Sequence, residues 1–96
     1  MKQIELHSDK PFESIEIFLQ VLGVSPTRSL SLDEVRKRSR VMDIIEKRNG
    51  QAGPLLLEDA DHATLVKAFE DFGYSVSHPK LVRVIDAVID AKDAKG

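Results

Sequence analysis

The sequence predicts an α+β fold that is mostly helical, and three observations carry that expectation. Apolar residues recur at helical spacing in four separate stretches. A capping box, Ser31 with Glu34, opens the best marked of these. Two short runs carry strand character instead: Lys2 to His7 alternates apolar and polar residues, and Leu55 to Leu57 is a brief apolar run after a turn. The expected order is β-α-α-β-α-α, with a small two-stranded sheet packed on a helical bundle. At 96 residues the chain is read as a single domain, 1–96, with a frayed tail over 92–96.

In Lys2 to His7, Ile4 and Leu6 share one face and Gln3, Glu5 and His7 the other, the period of a half-buried strand. Ser8, Asp9 and Pro11 then signal a helix start, with proline tolerated where its missing N–H is not needed. The helix Phe12 to Leu22 has a main apolar stripe and a second apolar side at Ile17 and Val21, which implies burial between two neighbours. Gly23 stops it, and VSPTRSL connects to the capping box.

The second helix runs from Ser31 to Gly50, with Asp33 and Glu34 in its first turn and Lys47 and Arg48 in its last. These charges complement the helix dipole at both ends. Asn49-Gly50 and Gly53-Pro54 mark a reversal into Leu55 to Leu57, the natural partner of the first strand. The competing reading makes these leucines a buried extended connector. Glu58, Asp59 and Asp61 open a third helix, Asp59 to Phe72, which buries Leu65, Ala68, Phe69 and Phe72 and stops at Gly73. His78-Pro79 opens the last helix, whose Leu81, Val82, Val84, Ile85, Val88 and Ile89 span an arc wide enough to leave it largely buried.

On a wheel of about 100° per residue, Val35, Val41, Met42 and Ile45 of the second helix fall within roughly 120° and form its buried face. Arg38 projects from the middle of that face. The ordinary account is that its stem covers apolar surface while the guanidinium reaches water. The sharper account gives it a carboxylate partner, in an intramolecular pair or a subunit contact, with Asp59, Asp61, Asp86 and Asp90 as candidates. Arg36, Arg40 and Lys47 lie on the opposite, polar face.

Composition sets further bounds. Apolar residues make up 42% and charged residues 31%, ordinary for a globular protein. The net charge of −2 argues against a broadly basic nucleic-acid surface. There is no cysteine, so disulfides and thiolate metal sites are excluded. MKQIELHSDK lacks the apolar core of a secretion signal, and no stretch approaches the ~20 apolar residues of a membrane span. A cytoplasmic protein without a membrane partner is expected.

Chemistry is sparse. Glu58, Asp59, Asp61 and His62 could supply oxygen and nitrogen ligands to a divalent metal, but none of the usual ligand spacings is met. Asp59 and Asp61 are more simply helix-capping acids, and His62 packs near Leu65 and Phe69. No serine sits in a nucleophile elbow, and Gly50 and Gly53 form no phosphate loop. The reading is therefore non-enzymatic, with no catalytic residues, metal or cofactor. The run Arg36, Lys37, Arg38 and Arg40 could meet nucleic-acid phosphates, yet acids interleave with it: Asp33 lies one turn before Lys37, and Asp43 one turn before Lys47.

SLDEVRKRSRVMDIIEK followed by PLLLEDADHATLVKAF, within Ser31 to Ala68, resembles small proteins encoded in tailed-phage and prophage genomes. Those proteins share a capped S-L-D/E-E-x-R-x-R helix, a leucine-rich strand leading into L-E-D-A-D, and two closing helices. This chain departs from the pattern at Phe72 to Tyr74, where the family pattern has a tryptophan. The resemblance implies an assembly or binding context and carries no catalytic chemistry. The function expected is protein–protein interaction, with a second copy of the chain and another phage or host protein as partners. The contact surface expected is part of the second helix, with Arg38 as its leading residue, or else the exposed edge of a strand. The rival is a regulator that binds nucleic acid through Arg36, Lys37 and Arg40.

Overall fold

The computed structural model describes residues 1–8, 12–23, 29–48, 53–74 and 77–93. The expected Asn49-Gly50 turn, Asp9 and Pro11 of the first helix start, residues 24–28 of the first connection and 94–96 of the tail lie outside them. The fold is α+β and mostly helical, in the order β1 (Lys2–Ile4), α1 (Ser14–Gly23), α2 (Leu32–Arg48), β2 (Leu55–Leu57), α3 (Asp59–Asp71), α4 (Pro79–Ile89) and β3 (Lys92–Asp93).

The sheet has three strands in the order β2-β1-β3, all antiparallel, where two were expected. Lys2, Gln3 and Ile4 pair with Leu57, Leu56 and Leu55, so the leucine run is a strand and not a connector. Ile4, Leu55 and Leu57 point into the core, while Leu56 faces outward. Lys92 and Asp93, expected to fray, pair with Gln3 and Lys2 on the other side of β1. The reason is an ion pair too distant in sequence to be read locally: Lys2 Nζ lies 2.9 Å from Asp93 Oδ1. β1 is thus the central strand, and among the described residues the sheet edges belong to β2 and β3.

Beyond Ile4 the chain leaves the sheet, and His7 is tied to the first residue of α1. The His7 N–H donates to Ser14 Oγ at 2.7 Å, and the Ser14 N–H donates to the His7 carbonyl at 2.8 Å. Ser14 is buried, so this reciprocal pair satisfies polar groups that water cannot reach. On α1, Ile17, Phe18, Val21 and Leu22 are buried, as the two apolar sides imply. Phe18 meets Phe69 of α3 edge to face, with ring centroids 5.9 Å apart.

The capping box of α2 forms as expected: the Glu34 N–H donates to Ser31 Oγ, and the Ser31 N–H reaches a Glu34 carboxylate oxygen. Val41 and Ile45 are fully buried, but Val35 is 48% exposed, so the buried face is narrower than the wheel suggests. A wheel assigns a face and not the neighbour that covers it. Arg48 donates to the carbonyls of Gly53 and Pro54 just ahead of β2, where Gly53 takes a positive φ of 93°.

α4 is opened by His78, whose Nδ1 accepts from the Lys80 N–H. It buries only Leu81, Val84 and Val88. Val82 and Ile89, expected inside, are about half exposed, since among the described residues no element covers the outer side of this helix. α1 ends at Gly23 and α3 two residues before Gly73, close to where those glycines were expected to stop them, although among the described glycines only Gly53 has positive φ. Side chains close the helix ends instead. The Tyr74 hydroxyl donates to the Phe69 carbonyl in the last turn of α3 at 3.0 Å, and burial raises its pKa.

The Lys2–Asp93 pair makes the attachment of β3 depend on pH. The Lys2 hydrogen bond, and then its charge, hold the Asp93 carboxyl below its ordinary 3.8. The tie is therefore complete above 3.8 and is lost as pH falls through the lowered value. Lys2 is raised above 10.5 by the same bond, so its share is present below 10.5 and goes as pH rises through the raised value. A carboxyl-carbon NMR titration should place Asp93 below 3.8, and Lys2→Gln should return it there. An ordinary midpoint in the unaltered protein would refute the pairing.

Candidate functional site

The second helix was expected to carry the interaction residues, and the structure disposes of them differently. Arg38 is buried, with 4% of its surface exposed. Its Nη2 lies 3.5 Å from Asp71 Oδ2, and its Nη1 donates to the Val21 carbonyl at 3.4 Å. The account in which its guanidinium reaches water is therefore corrected. So is the set of candidate partners, because Asp71, ten residues beyond Asp61, is the carboxylate that meets it. Helical packing of α3 along α2 brings the two together, and nothing in the local spacing does.

Asp71 is the last residue of α3, where the negative end of the helix dipole opposes a carboxylate, and Val21 lies in the last turn of α1. A cation placed between the two offsets both. Arg38 thus joins three helices from within, leaving little of its side chain at the surface.

Arg40 was assigned to the polar face. It reaches across to α3, with Nε 3.0 Å from Asp61 Oδ1 and Nη2 3.4 Å from Oδ2. This hydrogen bond, and the charge behind it, raise the Arg40 pKa still further. Asp61 is buried although it was expected as a capping acid. Glu58 occupies the N-cap position of α3 and makes no side-chain cap bond. Lys37 pairs with Asp33 at 3.0 Å one turn away, as its spacing implies, and both side chains stay exposed. Arg36 is exposed on the outer side of α2.

The possible metal cluster is dispersed. Asp59 meets the N-terminal ammonium at 3.4 Å, Asp61 meets Arg40, and His62 Nε2 donates to the Val88 carbonyl of α4 at 2.6 Å. That carbonyl accepts only, so Nε2 carries the proton. Among the described residues no group of three acids or histidines is gathered to hold a cation. Among them, too, no helix is long and apolar enough to cross a membrane.

Two open grooves among the described residues bear on the site. The larger, of about 740 Å³, lies between the outer face of the β1 segment and α4 and is lined by residues of both charge signs, among them Glu5, His7, Arg83 and Asp86. The other, of about 530 Å³, runs between α2 and α3 over Ala60, Ala63 and Thr64, with Lys37, Arg40 and Lys67 around it and Arg38 at its base.

The chain matches no family model, and no curated protein and no solved structure is significantly similar to it.

Removing Arg38 deprives a nearly buried carboxylate and a helix-terminal carbonyl of their shared donor. Arg38→Ala should cost about 2–3 kcal/mol, seen as a urea midpoint lower by about 2 M, whereas Arg36→Ala should stay within about 0.5 kcal/mol. Equal midpoints for the two variants would contradict the role given to Arg38.

Proposed function

We propose that this is a small non-enzymatic interaction protein that works by associating with further copies of itself. One observation carries this reading: large apolar side chains stand in pairs on the solvent faces of two helices. Leu32 and Val35 are 65% and 48% exposed on α2, and Val82 and Ile89 are 48% and 50% exposed on α4. Isolated surface apolar residues are ordinary, but pairs at three- and seven-residue spacing form stripes. The interior, by contrast, leaves little undone, since no buried side-chain polar atom lacks a partner among the described residues.

The resemblance of Ser31 to Ala68 to phage-encoded proteins suggests assembly as the context, with another phage or host protein as a further partner and the cytoplasm as the location. Nucleic-acid binding through Arg36, Lys37 and Arg40 is the weaker reading, because Asp33 and Asp61 sit on two of those three cations. Steep salt dependence of such binding needs phosphate contacts from cations free to make them.

Light-scattering chromatography over a dilution series should give a mass that rises with protein concentration at both low and high salt, because apolar contact persists when charges are screened. A monomer throughout would overturn self-association.

A further inference from the structure

The outer side of α4 and the groove between α2 and α3 differ in shape and charge in matching ways. On α4, Val82, Asp86 and Ile89 follow one another at four and three residues and form a single ridge. This ridge lies opposite the buried Val84 and is exposed along its length. Asp90 extends its acidic side, with Arg83 behind, toward the larger groove. The ridge is therefore apolar at its two ends and carries a carboxylate at its centre.

The groove presents the complement. Its α3 wall is made of the small side chains Ala60, Ala63 and Thr64, which let a row of larger side chains approach the backbone. Arg38 and Arg40 are held by Asp71 and Asp61, and Glu34 of the capping box also lines the α2 side. Lys67, however, stands exposed on the α3 wall and Lys37 on the other pairs with the solvent-exposed Asp33, so cations still outnumber acids along the groove. Exposed pairs of this kind exchange partners at little cost. An apolar ridge with a central carboxylate thus matches a groove with one small-residue wall and a lysine on each side.

Both surfaces belong to one chain, yet they cannot meet within it. His62 of α3 packs toward α4, whereas Ala60, Ala63 and Lys67 lie on roughly the opposite side of that helix. We infer that the Val82–Asp86–Ile89 ridge of one molecule seats in the α2/α3 groove of another, with Asp86 between Lys37 and Lys67. This rests on the self-association proposed above and specifies its geometry. Two different patches make a head-to-tail contact, which closes as a ring or continues as a filament, where a two-fold dimer would use one patch twice.

Two surface variants test the inference. Ile89→Arg blocks the ridge, and Ala63→Arg blocks the groove. Each alone should raise the self-association Kd by more than about tenfold. Mixed, they should form a 1:1 heterodimer that grows no further, because the first keeps an intact groove and the second an intact ridge, while the remaining contact brings two arginines together. Asp86→Lys repeats the ridge block without touching an apolar residue. If all three variants associate as the unaltered protein does, the head-to-tail contact is wrong while self-association stands. Variants that are monomeric alone and stay monomeric when mixed also overturn it. An unaltered protein that is monomeric at every concentration overturns both readings.

Discussion

The structure depends most on one buried cation. A helix end leaves carbonyls without intrahelical partners and gathers negative potential, and the ends of α1 and α3 both come to the middle of α2. Arg38 meets them there, at the Val21 carbonyl and the Asp71 carboxylate. A leucine in its place would fill similar space and leave that potential unanswered. The planar guanidinium has enough donors to serve two helices at once, which lysine's point charge does less well. The three helices are thus fixed by an electrostatic demand as well as by the packing of Phe18, Val41, Ile45, Leu65 and Phe69.

The same device recurs at the periphery. His62 closes the last turn of α4 through the Val88 carbonyl, and Tyr74 closes α3 through Phe69. Ser14 and His7 exchange bonds where the sheet hands over to α1. In a small domain the core is limited, so side chains that satisfy helix ends and also join elements contribute twice to the same fold. The sheet follows suit: two residues after α4 suffice to flank β1 because Lys2 and Asp93 hold them.

The demand for internal pairing also shapes what the surface can do. Arg38 and Arg40, half of the basic run on α2, are committed to Asp71 and Asp61. Among the groups left at the surface are Arg36, the rim lysines and apolar stripes on α2 and α4. It is on this surface that the proposed contact between copies rests.

Features set within a few residues were legible in the chain itself. The Ser31–Glu34 box, the His78-Pro79 start, the limits of α3 and the pairing of Leu55 to Leu57 with the first strand each follow from local hydrogen bonding or from period. The sequence also marked Arg38 as anomalous, because a cation in an apolar arc demands an explanation wherever the helix packs. Tertiary structure alone decided which carboxylate answers it, that Asp61 turns to Arg40 instead of capping α3, and that Lys92 and Asp93 make a third strand. It alone also left Val35, Val82 and Ile89 uncovered. Periodicity tells which side chains share a face, but burial and ion pairing depend on which distant element arrives at that face, and no local spacing encodes that arrival.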